Sequence, residues 1–393
     1  MAGDLRGRRT TGSHSRGIGI PIRSLAVGIA SSVIVGVAGA QSPPGGSPPG
    51  ESPPGRELYV AACANCHGSD GRGASQSQVG FSEALPDFTD CSFSSRETSQ
   101  DWFAVVHDGG PVRAFSHRMP AFGAAMRDDE IERVVTYVRS LCDDGSWPRG
   151  ELNLPRAMLT EKAFPEDETV VTMGAVTERG ARAVQAALIY EKRFGARNQW
   201  ELVVPVARRE KPGGGGWSGV SLGDVAVAFK RALFHDLGGQ RILSAGAELI
   251  LPTGDTASGA GSGEVIFEPF LLAAHALPVN SFVQVHAGFE TPVRRSAIER
   301  AAYLRVAAGT TLASGFGRSW SPIVELSGDR GLGSGGTTEW DWVPQLQVSL
   351  SRRQHILASA GVRLPLTGRD SRPRELVAYL IWDWFDGGFF SGW

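Results

Sequence analysis

Cys63-Ala64-Asn65-Cys66-His67 is the stretch of this chain best equipped for chemistry. Two thiols one helical turn apart can each reach a vinyl group of a porphyrin, and the imidazole that follows lands beneath the iron. That spacing is the attachment signature of a covalent c-type haem. A second axial ligand must come from elsewhere in the chain. Met119 lies 52 residues after His67 (119 − 67) within Arg118-Met119-Pro120-Ala121-Phe122. His107 and His117 could also bind iron, or could stand as solvated, hydrogen-bonded histidines; Met126 suits packing at a helix entry. The choice has a consequence, because a thioether favours ferrous iron and a higher potential than a second histidine. With both axial positions filled, outer-sphere electron transfer is favoured over oxygen activation.

The surrounding residues form a longer pattern: Gly55, Tyr59, then Cys63-x-x-Cys66-His67-Gly68-x-Asp70-Gly71-x-Gly73, and at the far end the Met119 segment followed by an amphipathic helix. From Gly55 to Leu141 the chain resembles the class I cytochromes c. The resemblance implies a small all-α domain with one covalent haem c, His67 as proximal ligand and Met119 as distal ligand. Cys91 and Cys142 lie outside the haem motif. In an oxidising compartment they can bridge, or they remain two separate thiols. A bridge closing a loop of about 50 residues would contribute roughly 4 kcal/mol.

These residues need elements to hold them. Ile131, Val134, Val135, Val138 and Leu141 recur at helical spacing, with Asp128 or Asp129 placed to cap the start and Glu130 in the first turn. The chain before this domain reads as an export signal over residues 1–40. Arg6, Arg8, Arg9 and Arg16 precede an apolar run from Ser24, and Ala38-Gly39-Ala40 is a small-residue cleavage site. Residues 41–55 repeat Ser-Pro-Pro-Gly and form an extended linker without a core. The cytochrome-like domain takes 56–144, and an irregular, proline-bearing connector takes 145–168. The net charge of −2, with no basic block beyond the first sixteen residues, gives no indication of a nucleic-acid partner, and none is expected.

From 169 to 393 the period changes to two. Val225, Val227 and Phe229 alternate with Asp224, Ala226, Ala228 and Lys230; Trp340, Trp342, Leu346 and Val348 alternate with Asp341, Gln345, Gln347 and Ser349. Charges recur on the polar face, among them Glu191, Arg193, Glu201, Glu248, Glu268, Glu290, Arg305, Glu325 and Arg363. Lipid outside and water or paired charge inside would account for both faces, so an antiparallel transmembrane β-barrel of about twelve strands is expected. Aromatics at strand ends, such as Tyr190, Trp200, Trp320 and Trp382, fit interfacial girdles. The soluble alternative is a β-sandwich.

Glu248-Leu-Ile-Leu-Pro-Thr-Gly-Asp255, the Gly259-Ala-Gly-Ser-Gly263 loop and Val362-Arg-Leu-Pro-Leu-Thr-Gly368 give the segment from Val184 to Trp393 a second likeness. It resembles the outer-membrane family named for a phenol-degradation pathway (the MetA pathway), which implies passage or binding of apolar molecules. The order of haem domain first and barrel second is similar to the fused cytochrome–porin iron oxidases. It departs from them in a haem domain that looks complete and a barrel that looks smaller.

A domain of about 90 residues has a radius of gyration near 12 Å, too large for the narrow lumen that about twelve strands enclose. An even-stranded barrel puts both ends in the periplasm, so the haem is expected on that side of the outer membrane. The function expected is electron transfer with periplasmic redox partners, the source being a small organic reductant or ferrous iron. The alternatives are an outer-membrane transporter for small organic molecules carrying a redox module, and a soluble periplasmic cytochrome fusion. No nucleophile–base pair, phosphate loop or non-haem metal cluster is legible. An oxidase of iron or of an organic reductant stays open.

Overall fold

A computed structural model of the chain describes residues 54–178, 181–211, 215–294, 298–312 and 318–393. The export signal and nearly all of the linker expected from the sequence lie outside the described residues. In the helical part, α1 (Gly55–Ala62), α2 (Ala64–His67), α3 (Gln76–Val79), α4 (Cys91–Ser94) and α5 (Ser99–Asp108) precede α6 (Asp128–Ser140). The expected stripe forms the buried face of α6: Ile131, Val134, Val135 and Val138 are all buried. Its N-cap falls one residue earlier than expected, on Arg127, because the Glu130 carboxylate reaches back to accept from the Arg127 backbone N–H at 3.0 Å. Glycine at residue 55 lets α1 cross α6 closely, since a Cβ there would collide with the Arg133 carbonyl.

The second part contains β1 (Glu168–Glu178), β2 (Ala181–Phe194), β3 (Asn198–Arg209), β4 (Ser221–Leu222), β5 (Ala226–Asp236), β6 (Arg241–Ile250) and β7 (Ile266–Leu277). It continues with β8 (Ser281–Pro292), β9 (Ala301–Thr310), β10 (Trp320–Gly331), β11 (Thr338–Ser349), β12 (Ile356–Pro365) and β13 (Glu375–Asp383). Every pairing is antiparallel. β1 pairs with both β2 and β13, so the sheet closes on itself and leaves no edge. Among the described residues twelve strands form the wall, and the two-residue β4 is a side pairing on β3. The β-sandwich alternative is therefore set aside: one closed sheet replaces two stacked ones.

The alternation has its physical meaning in this wall. Val227, Phe229, Trp342 and Leu346 are exposed on the outside, while Lys230, Glu325, Asp341 and Gln347 are buried inside. An exposed apolar belt around a polar interior is the arrangement of a barrel solvated by lipid. The connections 195–197, 237–240, 278–280, 311–319 and 350–355 share one rim with the start of β1 and the end of β13; the two longest, 210–225 and 251–265, lie on the other rim.

The segment 145–168 joins the two parts, as expected of a connector, but it does so by folding into the barrel lumen and returning to the same rim. Leu152, Leu154, Ala157, Ala163 and Phe164 pack on inward-facing wall residues such as Ile242, Phe270, Leu272, Phe282 and Ile323. Between the single 3-10 turn at Gly150–Leu152 and the start of β1 the backbone of this segment has no helix or sheet of its own, so the wall must satisfy it. Gln284 donates to the Pro155 carbonyl at 2.8 Å, Tyr379 to Arg156 O at 2.5 Å, Arg305 to Leu159 O at 3.0 Å and Lys230 to Lys162 O at 2.7 Å. The Glu325 carboxylate accepts the backbone N–H groups of Met158, Leu159 and Thr160 at 2.8–3.2 Å.

Candidate haem-binding site

Cys63 caps the C-terminal end of α1, and the chain turns at once into α2, which carries Cys66 and His67. The His67 N–H donates to Cys63 O at 2.9 Å, which fixes thiol, thiol and imidazole on one turn. Cys63 is half-buried and Cys66 exposed, and neither is in a disulfide. Burial pushes the free Cys63 thiol up to about 11, with the neighbouring Cys66 adding to it.

The fold presses on His67 from several sides. The buried Tyr59 hydroxyl, held neutral by its burial, donates to Gly68 O at 2.7 Å and pins the turn that ends α2. Phe88 stacks on the imidazole with centroids 4.9 Å apart, and Trp102 meets Phe88 edge-on at 5.5 Å. The Arg139 guanidinium lies over Trp102 and donates to Glu97 O at 2.8 Å. Phe88, Trp102 and Arg139 escaped the sequence reading, because only the tertiary fold brings them to the motif.

Among the described residues neither ring nitrogen of His67 has a hydrogen-bond partner, and Nδ1 is sealed from solvent. Desolvation lowers its pKa and so favours the neutral, metal-ligating form. A sealed imidazole without a partner, one turn after two unbridged thiols, is a donor set that fits a covalent haem c.

Met119 sits in the loop after α5. Its carbonyl accepts from Gly110 N–H at 3.0 Å, and a Cβ on Gly109, whose φ is 82°, would come to 3.0 Å from that oxygen. The glycine pair therefore lets the Met119 loop close onto the helix end. Of the competing histidines, His107 stacks on Phe103 and its Nδ1 lies 2.8 Å from Asp108 Oδ1, whereas His117 is exposed. Cys91 and Cys142 are joined by a disulfide with Cα atoms 5.1 Å apart, tying the start of α4 to the end of α6.

This domain is seated on the barrel rim that carries the start of β1 and the end of β13. Arg96 pairs with the fully buried Asp167, to which Lys192 also reaches at 3.2 Å. Arg353 donates to Ala114 O at 3.0 Å, Arg197 to Ser146 O at 2.9 Å, and Arg193 lies over Trp147. Arg113, ion-paired to Asp101, donates to Arg352 O at 3.4 Å.

Residues 51–138 match the family model described as cytochrome c oxidase, cbb3-type, subunit III. No curated protein matches the chain. Among solved structures, the KdgM porin in complex with disordered oligogalacturonate is similar at 12% identity and a TM-score of 0.38, covering 55% of this chain and 98% of the porin. An outer-membrane channel from Pseudomonas putida F1 is similar at 12% identity and a TM-score of 0.40, covering 58% of this chain and 99% of the channel. The beta domain of the Bordetella autotransporter BrkA gives 15% identity and a TM-score of 0.36, covering 55% and 98%. The chain thus joins a small helical cytochrome domain to a closed antiparallel barrel of twelve strands.

Proposed function

We propose that the protein carries one haem c, attached through Cys63 and Cys66 with His67 and Met119 as axial ligands, and passes electrons at the periplasmic face of the outer membrane. The observation that carries this reading is the partnerless His67 imidazole one turn after two unbridged thiols, inside a segment matching a cytochrome family. Bound haem supplies one-electron exchange at iron. The chain's own residues hold the two linkage points on one turn, fix the imidazole between Phe88 and the Tyr59-pinned loop, and keep His107 engaged elsewhere. A Met119 thioether on the iron would raise its potential and favour electron transfer over oxygen activation.

The barrel supports placement in an outer membrane through its apolar belt, and both strand ends on the haem-domain rim, with the two longest loops on the other, favour the periplasm for that rim. A single haem there faces a hydrocarbon band about 25 Å tall, so its electrons come from a periplasmic redox partner or from a small reductant such as ferrous iron or an organic donor. The alternative of an open transport channel is weakened by the segment that fills the lumen.

The test is a haem stain of the denatured, detergent-extracted protein together with a redox titration. One haem per chain that survives denaturation, with a reversible wave reduced by ferrous iron or a quinol, is the expected result. A pigment that washes away on denaturation, or no pigment, overturns the reading.

A further inference from the structure

The charges inside the barrel fall into two groups. Most are paired: Arg156 donates to Glu168 and Glu191 at 2.7 Å each, and Lys162 to Glu166 at 2.6 Å and to Glu168 at 2.9 Å. Glu161, Glu201 and Glu248 are different. Their carboxylate oxygens lie within 4.8 Å of one another, yet none has a hydrogen bond or ion pair among the described residues. Glu201 is only 4% exposed, so water does little for it. Arg156 and Lys230 lie within electrostatic reach of Glu201, and Arg305 of Glu248, but the hydrogen bonds these cations make go to Glu168, Glu191 and backbone carbonyls and none goes to the three glutamates.

We infer that Glu161, Glu201 and Glu248 form a binding site for a hard divalent cation inside the barrel. Three carboxyl groups converge here with no hydrogen bond or ion pair of their own among the described residues, and an all-oxygen donor set selects hard cations over soft ones. The site is held from both sides. Glu161 belongs to the luminal segment, whose position is set by Glu325 on Thr160 N–H and by Lys230 on Lys162 O. Glu201 and Glu248 stand on the wall, on β3 and β6.

An approach is built into the register. Glu201 faces Ala228, Ala228 faces Glu248, and Glu248 faces Glu268, so the carboxylates follow one row of the sheet. Glu290 lies further along, close to the long-loop end of β8. Glu201 is buried, whereas Glu248, Glu268 and Glu290 are half-buried. The row therefore opens toward the rim opposite the haem domain.

The experiment is titration of the full haem-bearing protein in detergent with Mn2+, read as loss of the free-ion electron paramagnetic resonance signal. One saturable site per chain is expected, weakened at least tenfold in Glu201→Gln/Glu248→Gln and in Glu161→Gln. Glu268→Gln, whose parent carboxylate is bonded to the Tyr303 hydroxyl at 2.5 Å, should leave affinity within twofold. Heat-modifiable migration and the haem spectrum report folding for each variant. Glu161→Gln lies off the wall and serves alone if the double variant misfolds. No saturable Mn2+ uptake by the wild-type protein, or unchanged affinity in the glutamine variants, overturns the proposal. The readout is independent of electron transfer, so either reading can fail without the other.

Discussion

The two halves of this molecule satisfy their polar groups over very different distances in sequence. In the helical domain, Tyr59 bonds the carbonyls of His67 and Gly68, eight and nine residues away. In the barrel, Gln284 bonds Pro155, Glu325 bonds Met158 and Tyr379 bonds Arg156, at separations of 129, 167 and 223 residues. A local motif can carry the chemistry of the first half. The second half has a filled interior only because a remote wall supplies the hydrogen bonds that an irregular segment cannot make for itself. Disturbing one half should therefore leave the other largely unaffected.

Cys63→Ala/Cys66→Ala should show this most strongly. Covalent haem is expected to vanish from the denatured gel, while the barrel keeps its heat-modifiable migration. A barrel that fails to fold without the thioethers would break the comparison. Removal of the luminal residues 151–165 should act in the reverse sense. Haem content stays near wild type, and planar bilayers record ion conductance at least tenfold above the intact protein. An equally silent bilayer would mean that other groups seal the lumen.

Smaller changes refine the picture within each half. Glu325→Ala strips the acceptor from three backbone donors, so it should lower stability in detergent by about 3 kcal/mol. Thermal melting followed by migration on gels would read the loss, and a change near zero would deny the luminal segment its anchor. Met119→His should lower the haem midpoint potential by on the order of 0.1 V, within the roughly 0.8 V span that axial ligands command, as a spectroelectrochemical titration would record. An unchanged potential would exclude Met119 as a ligand. Tyr59→Phe should cost the helical domain about 1 kcal/mol, visible as a lower melting point of the haem band.

Much of the helical half was readable before any fold was known. Cys63, Cys66 and His67 are contiguous, and the stripe from Ile131 to Val138 repeats with the helix, so local spacing already carries their geometry. The barrel was readable too, because alternation at Trp342, Gln345 and Leu346 maps directly onto two faces of a strand. The luminal role of 150–166 was not. That stretch has no period, and its apolar residues resemble those of any connector until Ile242, Phe270 and Leu272 appear beside them.

The chain's order of residues thus determined the haem motif, the helix faces and the in–out pattern of the strands, all of which depend on neighbours within a turn or a pleat. Only the tertiary structure decided that Phe88 stacks on His67, that the helical domain rests on the rim through Asp167, and that Glu161 meets Glu201 and Glu248. Those partners lie 21 to 87 residues apart (88 − 67 and 248 − 161). Closing the sheet brings the three glutamates together, and no local pattern records where a closed sheet places its inward side chains.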